Sequence, residues 1–301
     1  MKEFINYYYF LLPNRIHKID NDYYFNINNN YFGFYQYFGN INNLESLYIL
    51  NNYMSYQTNK INKIIINREG SIYTFKDNKK YILLQLNTIS NEIININNII
   101  EFSNYYVSIN YLNHSNWYLL WCNKIDYLEN IRNNLNKNNL IIYNSLPYYI
   151  GLTENAISYL KYINLNNNNL GICHIRINCN NSLKDLYNPL NLVIDYKVRD
   201  IAEYYKSLFY KTKDVNIIIN CFQKINLDYI NSIYFYIRMI YPSFYFDKLD
   251  EVLKGNIKEE ELLTITKYSE EYEYLLYKLY LIINQGNMLE IEWINKKFAN
   301  N

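Results

Sequence analysis

Two extended runs near the middle of the chain carry side chains that could bind a metal ion and an anion. The first, at residues 172–181, contains His174, Arg176 and Asn181, and the second is an apolar run that ends in Asp195. Mg²⁺ takes oxygen ligands, usually one or two carboxylates together with phosphate oxygens. Arginine cannot accept a proton at neutral pH, although it can bind phosphate. Asp195 and Asn181 thus carry oxygen atoms of the kind that a metal ion can use.

The spacing of these residues resembles the catalytic loop of aminoglycoside and choline kinases. That pattern is His-Gly-Asp, five further residues to Asn, and then an apolar strand that ends in Asp. His174, Asn181 and Asp195 fall on the His, the Asn and the second Asp, whereas Arg176 falls on the catalytic Asp. In phosphoryl transfer the catalytic Asp accepts the proton of the substrate hydroxyl. The Asn and the second Asp, here Asn181 and Asp195, would hold Mg²⁺ and, through it, the phosphates of the cofactor. The resemblance thus implies ATP and Mg²⁺ as cofactors of a loop that has lost its base.

A narrower resemblance is carried by several further segments. Gly-Leu-Thr-Glu-Asn-Ala at 151–156, Arg-Asp-Ile-Ala-Glu at 199–203 and Trp-Tyr-Leu-Leu-Trp at 117–121 are similar to segments of the YutH-type spore coat family of endospore-forming bacteria. That family is related to the CotS spore coat proteins and to aminoglycoside phosphotransferases. The likeness runs through most of residues 90–250 and weakens towards the N-terminus.

The resemblance implies an α+β, two-lobed protein-kinase-like fold of the aminoglycoside phosphotransferase type. A small antiparallel β lobe with one helix would precede a larger helical lobe. It also implies association with the spore coat, assembly from the mother-cell cytoplasm, and other spore coat proteins as partners.

Other parts required for phosphoryl transfer are absent from the N-terminal sequence. Such enzymes use a glycine-rich loop over the phosphates and a lysine on the third strand, paired with a helix glutamate. Gly33 and Gly39 are the only glycines before Gly70, and neither lies in a Gly-x-Gly-x-x-Gly loop. The predicted third strand, 31–37, has no lysine, and Glu45 on the following helix is expected to face solvent. No residue is therefore predicted to be catalytic, and ordinary kinase activity is not expected.

The site residues also have structural interpretations, which the sequence leaves open. Asp195 can accept hydrogen bonds from loop amides instead of binding metal, and His174 can be a packing residue. Asp200 and Glu203 can orient the His174 loop, or Asp200 can simply complement a helix dipole. Arg176 can bind an anion or pair with Asp195.

Three hypotheses about function follow. The first is a catalytically inactive, kinase-like structural or interaction protein of the spore coat. The second is an ATP-dependent phosphotransferase that acts on a small hydroxylated or amino-sugar substrate. The third is a module that binds nucleotide without turnover.

Composition excludes other classes of protein. The 301 residues are 50% hydrophobic and 18% aromatic, with 29 basic and 28 acidic side chains, which predicts a globular chain and argues against general nucleic-acid binding. No run reaches the roughly 18 apolar residues of a membrane span. The start, Met1 to Pro13, does not read as a secretion signal, so we expect a cytoplasmic protein.

The cysteines and asparagines do not indicate a particular function. Four widely spaced cysteines, with no Cys-x-x-Cys pair, predict reduced and mostly buried thiols. The 54 asparagines and 38 tyrosines, against 3 alanines, follow A/T-rich codon usage. Most asparagines are expected in loops where any polar residue would serve.

The pattern of apolar residues predicts strands first and helices later. Strands are expected at 14–20, 23–28, 31–37, 63–67, 73–75 and 80–86, with a helix at 43–57 and a hairpin turn at Asp77-Asn78. Helices are expected at 90–102, 117–134 and 153–162, the last capped by Thr153, and from Val198 onwards. The predicted domains are residues 1–88 and 89–301.

Overall fold

The computed structural model of the chain describes residues 1–107, 112–134, 140–163, 169–286 and 288–299. The asparagine-rich sequence also predicts a linker at 133–139 and a loop at 164–169, and most of their residues lie outside these ranges. In the described part of the chain, no helix combines the length and the apolar character needed to cross a membrane.

The strands and helices are numbered in chain order. The strands are β1 (Ile16–Ile19), β2 (Asp22–Ile27), β3 (Asn30–Gln36), β4 (Lys63–Ile65), β5 (Thr74–Lys76), β6 (Lys79–Leu86), β7 (Leu170–His174) and β8 (Leu192–Tyr196). The helices are α1 (Lys2–Tyr9), α2 (Leu44–Gln57), α3 (Ile96–Ser103), α4 (Trp117–Asn134), α5 (Leu140–Tyr162), α6 (Leu183–Leu186), α7 (Val198–Thr212), α8 (Val215–Phe222), α9 (Tyr229–Ile240), α10 (Ser243–Leu253), α11 (Leu263–Thr266), α12 (Ser269–Ile283) and α13 (Glu292–Phe298).

The chain divides into two compact units. The first unit contains residues 1–113 and 171–194, and the second contains residues 114–170 and 195–301. The strand-rich residues 1–88 all belong to the first unit, together with 89–113. The domain boundary predicted after residue 88 stays a prediction.

The first unit is built on an antiparallel sheet with the strand order β1-β2-β3-β6-β4, and β5 pairs with β6. Two of its hairpins turn on pairs of residues with positive φ, Asn28-Asn29 and Asp77-Asn78. Two-residue hairpins favour such turns, and Asn and Asp tolerate positive φ better than other non-glycine residues. The turn predicted at Asp77-Asn78 is therefore confirmed.

Each face of this sheet packs against a different helix. Phe34 and Tyr81 point to one face, where they share a core with Ile5 and Tyr9 of α1. The opposite face packs against α2 through Leu44 and other buried residues. The sequence pattern did not predict α1, because its Tyr- and Phe-rich run reads equally well as a strand.

Several asparagines have specific structural roles in the first unit. Asn51 is 1% exposed; it donates to Asn62 O at 2.7 Å and accepts from Ile64 N–H at 2.9 Å. Asn62 Oδ1 in turn accepts from the backbone N–H groups of Asn87 and Thr88. The expectation that most asparagines occupy loops where any polar residue would serve is wrong for these two, because each supplies a donor or an acceptor that the backbone lacks there.

The second unit is helical. Its helix α5 begins at Leu140, well before the predicted start at Thr153, and contains Pro147. Thr153 does not cap the helix as predicted; it lies inside α5 and donates to Tyr149 O at 2.8 Å. Serine and threonine in helix interiors commonly bond back to the carbonyl four residues earlier.

A stack of aromatic rings lies inside the second unit. Trp117 stacks on Trp121 at 5.2 Å between ring centroids, and Trp121 stacks on Tyr241 at 4.3 Å. The guanidinium of Arg238 lies 5.3 Å from the centroid of Trp117 and 5.2 Å from that of Tyr241. Cation–π contacts of this kind stabilise a desolvated arginine.

Candidate functional site

The predicted site residues are divided between the two units. His174, Arg176 and Asn181 belong to the first unit, and Asp195 belongs to the second. Each side chain is described within its own unit.

His174 is buried and has neighbours typical of a packing residue. Its ring lies 4.7 Å from the ring of Phe102, and its Nε2 lies 2.8 Å from Leu186 O. Because a carbonyl oxygen only accepts, the imidazole donates through Nε2. These contacts favour the packing interpretation over a role as a base.

Asn181 uses its side-chain oxygen to close a local turn. Its Oδ1 accepts from Asn178 N–H at 2.7 Å, and its backbone N–H donates to Asn178 O at 3.1 Å. The oxygen that would bind a metal is therefore engaged with a backbone amide.

Arg176 has its backbone held by Asn191. Its backbone N–H donates to Asn191 Oδ1 at 3.1 Å, and its carbonyl accepts from Asn191 Nδ2 at 2.5 Å. The guanidinium is exposed and donates to Ile175 O at 2.7 Å. The loop thus leaves the Arg176 side chain in contact with solvent, while Asn191 holds its backbone on both sides.

Asp195 forms a buried ion pair with Arg199. The arginine lies one helical turn further along the chain and donates through Nη1 to Asp195 Oδ2, while Tyr196 N–H donates to Asp195 Oδ1 at 2.7 Å. Asp195 is fully buried and Arg199 is 5% exposed. Burial raises the pKa of Asp195, and Arg199 and Arg238 oppose that effect.

A second buried cluster of charges surrounds Glu203 on α7. Its carboxylate accepts from Lys206 Nζ at 2.8 Å, from Arg238 Nε at 2.7 Å and from Ser243 Oγ at 2.7 Å. Lys206 also donates to Tyr241 O and to Ser243 Oγ. All the partners of Glu203 belong to the second unit. Glu203 is thus satisfied by lysine, arginine and serine side chains of its own unit, and its role in orienting the His174 loop stays a prediction.

Burial and mutual attraction perturb the pKa values of this cluster in different directions. Burial would raise the pKa of Glu203, but Lys206 and Arg238 outweigh it and hold that pKa well below its usual range. Burial lowers the pKa of Lys206 to about 7, with Arg238 adding to the effect and Glu203 opposing it.

The sequence pattern did not single out Lys206 and Arg238. Lys206 lies three residues after Glu203 on α7, and this spacing of opposite charges on a helix was the available signal.

On the first sheet, the turn between β1 and β2 is short and a tyrosine ring covers a glycine of β3. Strands β1 and β2 are joined by only two residues, Asp20 and Asn21, in place of a longer covering loop. The ring of Tyr35 on β3 lies over Gly33, where a Cβ would collide with it. This glycine therefore makes room for a tyrosine ring. Glu45 on α2 is exposed, as predicted.

Each of the two predicted Mg²⁺ ligands has another partner within its own unit. The carboxylate of Asp195 is paired with a guanidinium, and the amide oxygen of Asn181 is bonded to an N–H group. Among the described residues, no group of three or more His, Cys, Asp or Glu side chains could hold a metal ion. No metal-dependent step can be derived from this arrangement.

Comparisons with known proteins give a family and a fold. Residues 2–279 match the model of the family described as "Spore coat putative kinase YutH". No curated protein matches the chain.

Two phosphotransferases are among the solved structures similar to this chain. An aminoglycoside phosphotransferase from Alicyclobacillus acidocaldarius has 9% identity and a TM-score of 0.59, over 91% of this chain and 93% of that one. A spectinomycin phosphotransferase, solved with ADP and spectinomycin, has 12% identity and a TM-score of 0.55, over 93% of this chain and 96% of that one. These similarities confirm the predicted kinase-like fold of the aminoglycoside phosphotransferase type.

Proposed function

Because the chain belongs to the spore coat YutH family, we propose that it is a kinase-like component of the spore coat that does not transfer phosphate. In this proposal it is made in the mother-cell cytoplasm and binds other spore coat proteins through its surface. No role in nucleic-acid binding is proposed.

The observation that carries the proposal is the ion pair between Asp195 and Arg199. A kinase-like site needs this carboxylate to coordinate Mg²⁺ between the nucleotide phosphates. In this chain a buried guanidinium satisfies it instead. Breaking a buried ion pair by removing one partner is strongly unfavourable. A metal ion that displaced Arg199 from Asp195 would therefore have to compensate for the broken ion pair.

Two further features support the same conclusion independently. Arg176 stands where a base would accept the substrate proton, and a guanidinium stays protonated at neutral pH. The sheet lacks both a lysine on β3 and room for a glycine-rich loop between β1 and β2. Changes in three separate elements would each have to be reversed to restore phosphoryl transfer.

The proposal is tested by measuring ATP turnover. The purified full chain is incubated with ATP, Mg²⁺ and a panel of amino sugars, beside the Asp195→Asn and Asn181→Ala variants, and ADP release is followed. We expect all three proteins to release ADP no faster than buffer. Turnover by the unmodified chain that both variants lose would instead support a small-molecule phosphotransferase. Melting curves of the variants are recorded to check that each variant is folded.

The location is tested separately. A fluorescent fusion of the full chain, expressed from its own promoter during sporulation, should collect around the developing spore. A fusion that stays evenly distributed in the mother cell would contradict the proposed coat association.

A further inference from the structure

The turn that follows α1 in the first unit presents large apolar side chains to solvent. Phe10 is 75% exposed and Leu12 is 70% exposed, and Tyr7 on the last turn of α1 is 53% exposed. Between and beside them, Leu11 packs against the core that α1 shares with the sheet, and Pro13 is buried. Single exposed apolar residues are common, but several of them close together mark an interaction surface. We call residues 7–12 the apolar turn.

Arg68 holds the apolar turn in place from a neighbouring loop. Its backbone N–H donates to Tyr8 O at 2.7 Å, and its Nη1 donates to Tyr7 O at 3.2 Å. Its guanidinium lies 4.3 Å from the centroid of the Tyr7 ring and 5.7 Å from that of the Phe10 ring. The exposed rings are therefore fixed by specific contacts with a distant part of the sequence.

Phe10 has a backbone conformation that is unfavourable for a bulky residue. It ends α1 with a φ of 55°, in the left-handed region where glycine or asparagine is usual, and its N–H donates to Asn6 O at 3.0 Å. Either of those residues would end the helix with less strain and without an exposed ring. Residues in such conformations are commonly found at functional sites. The exposed phenylalanine thus calls for an explanation other than packing or helix capping.

The charges beside the apolar turn are mostly positive. Lys2, Arg15 and Arg68 are exposed and outnumber the carboxylates next to them in sequence, Glu3 and Glu69. None of the three cations forms an ion pair with a carboxylate in the parts of the chain that the structure describes. These cations are therefore free to attract anionic groups outside the protein.

An apolar tip bordered by cations fits the surface of a lipid bilayer. Side chains that are about three-quarters exposed, as Phe10 and Leu12 are, project from the protein surface instead of lining a groove. A projecting tip can enter the boundary between head groups and acyl chains without a complementary protein surface. Anionic head groups attract lysine and arginine, and tyrosine is favoured at the level of the head groups.

We propose that the apolar turn is a membrane-surface anchor, which inserts Phe10 and Leu12 into the interfacial region of an anionic bilayer. The ring of Tyr7 then lies among the head groups, and Lys2, Arg15 and Arg68 face their phosphates. This inference goes beyond the proposed function, because it assigns the chain a lipid partner that is independent of other coat proteins.

The test measures binding of the full chain to lipid vesicles by sedimentation. One set of vesicles contains phosphatidylglycerol and phosphatidylcholine, and the other contains phosphatidylcholine alone. The variants are Phe10→Asn and Leu12→Asn, because asparagine tolerates the backbone conformation of Phe10 and is polar. The matched control is Phe38→Asn, which removes a ring that is 78% exposed in the loop after β3. Melting curves without vesicles are recorded to check that each variant is folded.

We expect the unmodified chain to sediment with the anionic vesicles, and to do so less with phosphatidylcholine alone or at high salt. Phe10→Asn and Leu12→Asn should each weaken partitioning by about tenfold or more, the effect of withholding one large apolar side chain from lipid. Phe38→Asn should sediment like the unmodified chain.

Three results would overturn the assignment. The first is that the unmodified chain sediments with neither set of vesicles, and the second is that Phe38→Asn loses as much binding as Phe10→Asn. The third is a dimer of the unmodified chain in vesicle-free solution that Phe10→Asn abolishes, since the apolar turn would then be a protein interface. The assay contains no other protein and no nucleotide, so its failure would leave the proposed function untouched.

Discussion

Arg199 donates a hydrogen bond to Asp195 from one helical turn further along the chain, and both side chains are buried. The pair joins the end of β8 to the start of α7. Arg238 adds a second favourable charge near Asp195. Asp195, the predicted metal ligand, therefore lies in the interior of the second unit.

The first prediction concerns this ion pair. Arg199→Met should lower the free energy of unfolding by about 3–5 kcal/mol, because it removes the ion-pair partner of a buried carboxylate. The double variant Asp195→Asn/Arg199→Met should be more stable than Arg199→Met alone, since the buried carboxylate charge is then gone as well. Urea unfolding measures both. The control Lys296→Met removes an exposed pair with Glu292 of the same sequence spacing and should change stability by at most about 0.5 kcal/mol. Similar losses of unfolding free energy in Arg199→Met and Lys296→Met would contradict this prediction.

The second prediction concerns acid stability and Glu203. The pKa of this carboxyl is lowered in the folded chain, so the unfolded chain binds more protons below about pH 4.5. The resulting stability is present above that pH and is lost as pH falls towards the folded pKa. Glu203→Gln should be less stable at neutral pH and should lose less stability on acidification. Unfolding curves measured from about pH 3 to about pH 7, which spans roughly the range in which carboxyl groups titrate, give the slope of the unfolding free energy against pH. Glu45→Gln, on the exposed face of α2, should keep the slope of the unmodified chain.

The third prediction concerns alkaline stability. Burial raises the pKa of Tyr9 and that of Tyr245, each to about 12. A raised pKa stabilises the folded chain fully below the unfolded value of about 10, and this contribution is lost as pH rises through the folded value. The free energy of unfolding should therefore fall above pH 10, and the phenol absorbance of the folded chain should titrate later than that of the chain in urea. Coincident titration curves would show that these rings are accessible.

The fourth prediction compares two glycines. Gly33→Ala should destabilise the chain by about 1–3 kcal/mol, since the added methyl group collides with the Tyr35 ring. Gly151→Ala should be neutral or stabilising by up to about 1 kcal/mol, because its Cβ meets nothing within 4 Å and alanine favours the α5 helix. Melting temperatures rank the two variants. A more stable Gly33→Ala would show that the ring of Tyr35 moves aside freely.

Local sequence signals predicted the sheet of the first unit well. Pairs of Asn and Asp residues between aromatic runs marked the hairpin at Asp77-Asn78, because such pairs tolerate positive φ. The fold class followed from the family resemblance and was confirmed. The start of α5 was missed because Pro147 in the middle of an apolar run argues against a continuous helix.

The partners of the site residues were harder to predict. The sequence singled out Asp195, but it gave no reason to choose Arg199 as its partner rather than a metal ion. Glu203 and Arg238 are 35 residues apart in sequence, and only the packing of α7 against α9 brings them together. Contacts of this kind depend on tertiary structure, which hydrophobic periodicity does not encode.

The stacked rings of Trp117 and Trp121 make the second unit optically distinct. All three tryptophans of the chain, the third being the partly exposed Trp293, belong to that unit. Indole fluorescence therefore reports on the unfolding of the second unit alone, whereas tyrosine absorbance reports on both. Overlaying the two transitions in one urea titration would show whether the units unfold together or one after the other.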